Sequence, residues 1–333
     1  MKHTISKLVG CAAAITIGTC LALGAVAQEK PATIRVGIQS VPPDEVYAAR
    51  DWGGPYNLKV DISSFSSGAD ILKAFLGEQL DVGNGGSARL VTMAAQQPEK
   101  FYIVAANQYG GDRYGVIVKK DSPTTSVKEL KGKKIGAVTG SGTYNTFRVY
   151  LEQNGMKESD FQIVNMKVED LRSAVQQGLI DAAVAWEPHV AIAETMGVVK
   201  RIQSMDGVNE SPNFVLVSRD FVEKNRDAVI RYVATLIDLG NLIKNKPEEA
   251  GKLAAQQISK KGVETDPKAL ELSLTRIKMD PKVTDNLLGE LIPIAESMRA
   301  AGKLKEVPEF KKLVREDIFE EALKLSSAAN KGN

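Results

Sequence analysis

Twelve residues, Asp70 to Asp81, return one hundred positions later as Asp170 to Asp181. Both stretches begin and end in Asp and share a central Ala, Ala74 and Ala174. Their apolar positions also match: Ile71, Phe75 and Leu80 stand against Leu171, Val175 and Ile180. The spacing places an amphipathic helix before a strand that begins at the closing Asp. A helix–strand unit used twice predicts two related lobes, each a sheet covered by helices.

The pattern around the repeat fits that reading. Residues 33–38, 58–62, 80–83 and 101–106 read as strands, with helices opening at Ser67 and after Asn84-Gly85-Gly86-Ser87. Beyond Tyr109-Gly110-Gly111-Asp112, residues 113–118 read as a strand crossing into the second lobe. Strands at 133–138, 161–164, 180–185 and 198–202 follow, with helices opening at Gly140-Ser141-Gly142-Thr143 and spanning 170–178. Phe214 to Val217 would return the chain to the first lobe. From Arg219 the pattern is helical, with Asn225, Asp266-Pro267 and Thr284 as helix starts, Pro293 as an interruption and Gly302 as a stop. The expected fold is α/β: residues 28–110 with 208–333 as lobe 1, residues 111–207 as lobe 2. The helical C-terminal segment should pack on lobe 1.

The N-terminus reads as an export signal. Lys2 and Lys7 precede an uncharged stretch from Leu8 to Ala25, and Ala25-Val26-Ala27 has the small-x-small cleavage pattern. Cleavage after Ala27 would remove residues 1–27 as a signal peptide and deliver the chain to the periplasm. A lipid anchor at Cys11 or Cys20 is the weaker alternative. Both cysteines leave with the signal, so the remaining fold has no disulfide. Lys+Arg 43 and Asp+Glu 41 come into balance once Lys2 and Lys7 are gone. That balance argues against nucleic acid or a polybasic membrane face. His189 is then the single histidine, so Cys–His pairs and His or Cys metal sites are excluded. No nucleophile elbow, P-loop or dinucleotide fingerprint is present. No catalytic residue, metal or cofactor is expected.

In an open α/β sheet, ligands lie beyond the carboxyl ends of the strands. Those ends carry Gln39, Ser67, Gly68, Asn84, Gly85, Ser87, Asn107, Ser141, Thr143, Trp186 and Glu187. Several open helices, whose free N–H groups and dipoles favour an anion. Each Gly or Ser alone is ordinary turn chemistry; their accumulation on one edge is the informative part. Trp186 is a candidate wall for an organic body, and Glu187 a candidate receptor for a ligand ammonium. Arg113 and Arg148 are possible counter-ions or structural ion-pair members. Trp52 and His189 read as packing and surface residues.

At these residues the chain resembles the periplasmic solute-binding proteins of ABC importers in the nitrate/sulfonate/taurine family. The matching stretches are Ile34 to Ile38, Ser67-Gly68, Leu76 to Gly83, Val127 to Gly136, Gly140 to Gly142, Gly178 to Ala183 and Trp186 to Pro188. The resemblance implies a type II-like periplasmic-binding-protein fold with two crossover strands that closes on its ligand by hinge motion. It also implies a monomer that delivers a small-molecule ligand to an inner-membrane ABC permease driven by a cytoplasmic ATPase. A sulfonate or taurine-like organic anion is the leading ligand. A pyrimidine-like solute, an aromatic carboxylate and nitrate are alternatives. Enzymatic branches of the same fold that depend on cysteine do not fit a cysteine-free mature chain. An exported enzyme using a carboxylate base is the competing class.

Overall fold

The computed structural model describes residues 1, 30–65 and 67–329. The signal peptide, its cleavage point and both cysteines fall on residues outside that range. In chain order the elements are β1 (Ala32–Gln39), α1 (Pro42–Ala48), β2 (Leu58–Phe65), α2 (Gly68–Leu76), β3 (Val82–Gly86), α3 (Ser87–Gln96) and β4 (Phe101–Ala106). Next come β5 (Tyr114–Lys119), β6 (Lys134–Ala137), α4 (Gly142–Gln153), β7 (Gln162–Asn165), α5 (Val168–Gln177), β8 (Ala182–Trp186), α6 (His189–Thr195), β9 (Val199–Ser204) and β10 (Asn213–Ser218). The rest is helical: α7 (Arg219–Asn245), α8 (Pro247–Ser259), α9 (Pro267–Thr275), α10 (Asp285–Gly289), α11 (Ile292–Ala300) and α12 (Glu316–Ala329).

The strands form two five-stranded sheets, ordered β2-β1-β3-β10-β4 and β7-β6-β8-β5-β9. In the first, β10 runs antiparallel to β3 and β4; in the second, β5 runs antiparallel to β8 and β9. The other pairs are parallel. Both sheets therefore follow one plan, with β10 and β5 as the strands contributed after the chain has changed sheets.

The repeated segment builds the same joint in each sheet. Asp81 N–H donates to the Arg35 carbonyl (2.9 Å), and Arg35 N–H donates back to Asp81 Oδ2 (2.8 Å). Asp181 N–H donates to the Lys134 carbonyl (2.9 Å), and Lys134 N–H donates to Asp181 Oδ2 (2.9 Å). Above each joint the neighbouring strand needs a glycine. A Cβ on Gly37 would lie 2.6 Å from Leu80 and 3.0 Å from Ile71; one on Gly136 would lie 2.5 Å from Ile180 and 2.8 Å from Leu171. The apolar residues shared by the two segments are those that close over these glycines.

Strand alternation divides each core into two. In the first sheet Ile34, Val36, Ile38, Val215 and Val217 meet α1, α7, α8 and α12. Phe101, Ile103, Phe214 and Leu216 meet α2, α3, α10 and α11. The helical segment after β10 thus covers both faces of the first sheet. In the second sheet Val116, Val118, Ala182 and Val184 meet α4, while Ile117, Ala183 and Ala185 meet α5 and α6. Phe147 of α4 is fully buried, worth roughly 1.5–3 kcal/mol.

Local signals behave as their chemistry dictates. Ser67, Ser141, Asp266 and Thr284 accept hydrogen bonds from backbone N–H groups two or three residues ahead and cap α2, α4, α9 and α10. Pro293 separates α10 from α11 and sits in the first turn of α11. Asn225 differs from the expected helix start: it is a non-helical kink (φ −137°, ψ 38°) within α7. Helix α1 was not legible in the sequence. Its first turn holds Pro42 and Pro43, whose missing N–H groups are tolerated there, and its residues Pro42 to Tyr47 are buried. Among the described residues, no helix is long and apolar enough to cross a membrane.

Candidate functional site

A cleft of about 1800 Å³ opens between the carboxyl edges of the two sheets. The first sheet supplies Gln39 from the end of β1, Ser67 and Gly68 from the start of α2, and Ser87 from the start of α3. The second supplies Ser141 and Thr143 from the start of α4, with Trp186 and Glu187 from the end of β8. These eight of the expected residues line one space. The other three do not. β3 runs on through Gly86, so Asn84 and Gly85 lie within the sheet, paired with Val215 and Phe214 of β10. Asn84 and Asn107 line a separate interior pocket of about 20 Å³ beside Asp44 and Tyr47. Gly85 faces Leu216 and Leu90, on the opposite side of the sheet. Alternation along a strand turns successive residues into the two cores rather than toward the edge.

The helix starts carry the polar lining. Ser141 Oγ accepts from Tyr144 N–H (3.1 Å), which leaves the first amides of α4 turned to the cleft. α3 has Gly86 at its cap with no side-chain acceptor, while Ser87 Oγ donates to the Pro212 carbonyl (2.9 Å). At α2, Ser67 Oγ donates to Asp70 Oδ2 (2.6 Å), so a carboxylate already faces that N-terminus.

Among the cleft residues that escaped the sequence reading is Arg89, in the first turn of α3. A cation there opposes the helix dipole. That mismatch was the available signal that its charge serves something else. Arg89 is exposed in the cleft and makes no ion pair or hydrogen bond among the described residues. Its guanidinium fills the room left by two glycines. A Cβ on Gly68 would lie 2.8 Å from its Nη2, and one on Gly86 3.3 Å away. Desolvation by the surrounding walls holds it below its ordinary value, and the nearby Tyr114 phenol opposes that shift.

The two arginines considered as counter-ions part ways. Arg148 is paired with Glu158 (2.9 Å). Arg113 is buried at the start of β5 and has no carboxylate partner among the described residues. Its guanidinium lies 4.7 Å over the Tyr114 ring, and Nη2 donates to the Tyr114 hydroxyl (2.6 Å) and to the Ser211 carbonyl. The Tyr114 and Ser211 hydroxyls are 3.3 Å apart, and a Cβ on Gly142 would lie 3.6 Å and 3.5 Å from them. Arg113, Tyr114, Ser211 and the start of α4 thus form one corner.

Glu187 is committed elsewhere. Its Oε1 accepts from Arg276 Nη1 (2.7 Å) and its Oε2 from Ala191 N–H (3.0 Å). Its side chain is 1 % exposed. Burial holds its carboxyl above the ordinary value, against the pull of Arg276. Arg276 follows α9, on the first sheet's helical segment, and also pairs with Glu194 of α6 (2.6 Å). It therefore clasps the two halves of the fold. Trp186 keeps one face to the cleft and meets His189 edge-on (5.9 Å, 89°). Trp52 is core, stacked on Tyr47 (6.1 Å, 6°).

A family model described as "NMT1/THI5 like" matches residues 48–250. The chain belongs to that family. It is 28% identical over 215 residues to the Taurine-binding periplasmic protein of Escherichia coli (strain K12), covering 64% of this chain and 66% of that one. A second relative from the same strain, whose description names aliphatic sulfonates, is 27% identical over 198 residues, 60% of this chain and 62% of that one. The chain spans less than two thirds of the length of these two relatives. The crystal structure of the periplasmic aliphatic sulphonate binding protein SsuA from Escherichia coli superposes with a TM-score of 0.72 at 22% identity, covering 86% of this chain and 92% of that one. At that identity the likeness is one of fold: the NMT1/THI5-like chain has the two-sheet architecture of a periplasmic binding protein.

Proposed function

We propose that this protein is the solute-binding component of an ABC importer. It captures a small organic anion in the periplasm and hands it to an inner-membrane permease with a cytoplasmic ATPase. Residues 28–110 with 208–333 form one lobe and 111–207 the other, joined by the crossings into β5 and β10. The observation that carries this reading is the pair of arginines lining the cleft, Arg89 and Arg113, neither in an ion pair with a carboxylate among the described residues. Around them stand hydroxyls and the N-termini of α3 and α4, a set that holds an oxyanion.

The leading ligand is an alkanesulfonate-like anion, its acid group on Arg89 and its body against Trp186. Glu187 acts as a structural anchor, not as the receptor for a ligand ammonium. With both its oxygens engaged it is also a poor base, which weighs against an exported hydrolase. The test is a thermal-shift screen of small sulfonates, carboxylates and nitrate on the cleaved protein, followed by mass spectrometry of the recovered ligand. A stabilising sulfonate recovered unchanged at one per chain is expected. Steady conversion of that compound to product would replace this reading with an enzymatic one.

A further inference from the structure

We infer that the interior pocket of the first sheet is a site for one dehydrated monovalent cation, held by oxygens of Asp44, Asn84, Asn107 and Tyr232. The inference does not depend on what the cleft binds.

One small space gathers the donors. Asp44 of α1, Asn84 of β3, Asn107 after β4 and Tyr232 of α7 all line the pocket of about 20 Å³. That is room for a single water-sized particle. Asp44, Asn107 and Tyr232 are 6 %, 5 % and 4 % exposed, so bulk solvent does not serve them. The Tyr47 hydroxyl, also in the lining, is engaged by Thr235 (2.8 Å). The side chains of Asn84 and Tyr232 have no hydrogen-bond partner among the described residues. Asp44 Oδ2 accepts from Gln39 N–H (2.8 Å), and the Asn107 amide donates to the same carboxyl group. An amide that donates through its nitrogen keeps its carbonyl oxygen free. The pocket thus offers a carboxylate, two amide oxygens and a phenol oxygen. These are hard donors that suit an alkali cation.

Charge decides between a cation and a water. Asp44 and its neighbour Glu45 are both buried. Lys261, after α8, pairs with Glu45 at 2.6 Å, and among the described residues no ion pair reaches Asp44. An ionised carboxylate at that depth is costly without a countercharge. A proton supplies one at low pH, since burial pushes Asp44 up to about 7. At higher pH an alkali ion takes the proton's place. A divalent ion calls for more carboxylates, and no group of three or more His, Cys, Asp or Glu gathers for one among the described residues. Gln39, whose N–H Asp44 holds, lines the cleft, so the ion also buttresses one wall of it.

The test is the melting temperature of the cleaved protein at about pH 8 in sodium, potassium or choline chloride of equal ionic strength. Choline is too large for the pocket and serves as the blank. Sodium or potassium should raise the melt by about 2 °C or more above choline, saturably, and the better of the two names the ion. At about pH 5.5 the gain should shrink to less than half, because the proton then holds Asp44. Glu45, Lys261, Tyr47 and Tyr232 are the other charged or titratable groups around it. Asp44→Asn should abolish the gain. Tyr232→Phe, which keeps the ring and removes one oxygen, should raise the half-saturating concentration about threefold or more. Equal melts in the three salts would leave the pocket to water and overturn the inference. So would a full gain in Asp44→Asn or, if that variant does not fold, an unchanged half-saturation in both Tyr232→Phe and Asn84→Ala.

Discussion

The two sheets share their framework and differ in what leaves their central strands. Each places an Asp at the helix–strand joint, locked to the backbone of its neighbour strand, under a glycine that admits the helix. Beyond the joint the copies diverge. β3 passes through Gly86 into Ser87 and Arg89, a polar edge bearing a cation without an ion pair among the described residues. β8 ends at Trp186 and Glu187, an aromatic wall anchored by a buried ion pair. The repeat therefore supplies position, and the residues after the repeat supply chemistry. A change in the framework should move stability, whereas a change beyond it should move binding, except where Arg276 ties the halves together.

The largest effect should come from that tie. Arg276→Ala leaves Glu187 buried without its cation and should lower stability by about 3–5 kcal/mol in urea titration. Pairing it with Glu187→Gln should recover part of the loss. An Arg276→Ala chain as stable as wild type would show that the halves are held by other contacts.

A second difference is titratable and belongs to the first sheet. Burial pushes Asp44, beside Gln39, up to about 7, while hydrogen bonds from Gln39 N–H and Asn107 oppose the shift. Glu45 adds to the rise, and Lys261 opposes it. Between about pH 4 and pH 7 the folded chain binds this proton more tightly than the unfolded one. Stability must then fall as pH rises through that window, by roughly 2–4 kcal/mol. Asp44→Asn should flatten the profile and gain most above pH 7. A wild-type curve that instead rises from pH 4 to pH 7 by that amount would remove Asp44 as a dominant group.

Beyond the framework, Trp186→Ala should weaken ligand binding about thirtyfold, roughly 2 kcal/mol, and leave unfolding cooperative. Trp52→Phe should leave the ligand-induced fluorescence change in place, because Trp52 is core. Wild-type affinity in Trp186→Ala would move the cleft wall elsewhere. The finest test compares the two joints. Asp81 also accepts from the Arg35 guanidinium (2.6 Å and 3.1 Å) and is 7 % exposed, whereas Asp181 is exposed. Asp81→Ala should cost about 2 kcal/mol and Asp181→Ala about 1 kcal/mol or less. Equal losses would mean that the guanidinium adds nothing.

Much of this was legible without coordinates, for identifiable reasons. The repeat, the strand periods and the capping residues are local signals, and they produced both sheets and most helix starts. Eight cleft residues followed from strand ends. Asn84 and Gly85 did not, because a strand's last residue depends on its neighbour; Asn107 follows β4 where expected, but its backbone N–H donates to the Asn213 carbonyl and it lies in the interior pocket beside Asp44. Pairing with β10 carries β3 three residues further than its apolar run suggests. Glu187 illustrates a second limit. Its partner Arg276 lies 89 residues away, and no local pattern announces that contact. Arg89 was within reach, since a cation in a helix's first turn is out of place on electrostatic grounds alone.

The central claim is that the acid group of the solute sits between the first turn of α3 and the start of α4. A crystal structure of the cleaved protein grown with ethanesulfonate or sulfoacetate tests it most directly. The expected density has oxygens within hydrogen-bond reach of the Arg89 guanidinium and of the Gly142 or Thr143 amide, with the carbon body against Trp186. Ligand seated on Glu187 with Arg276 displaced, or outside the cleft altogether, would contradict the account.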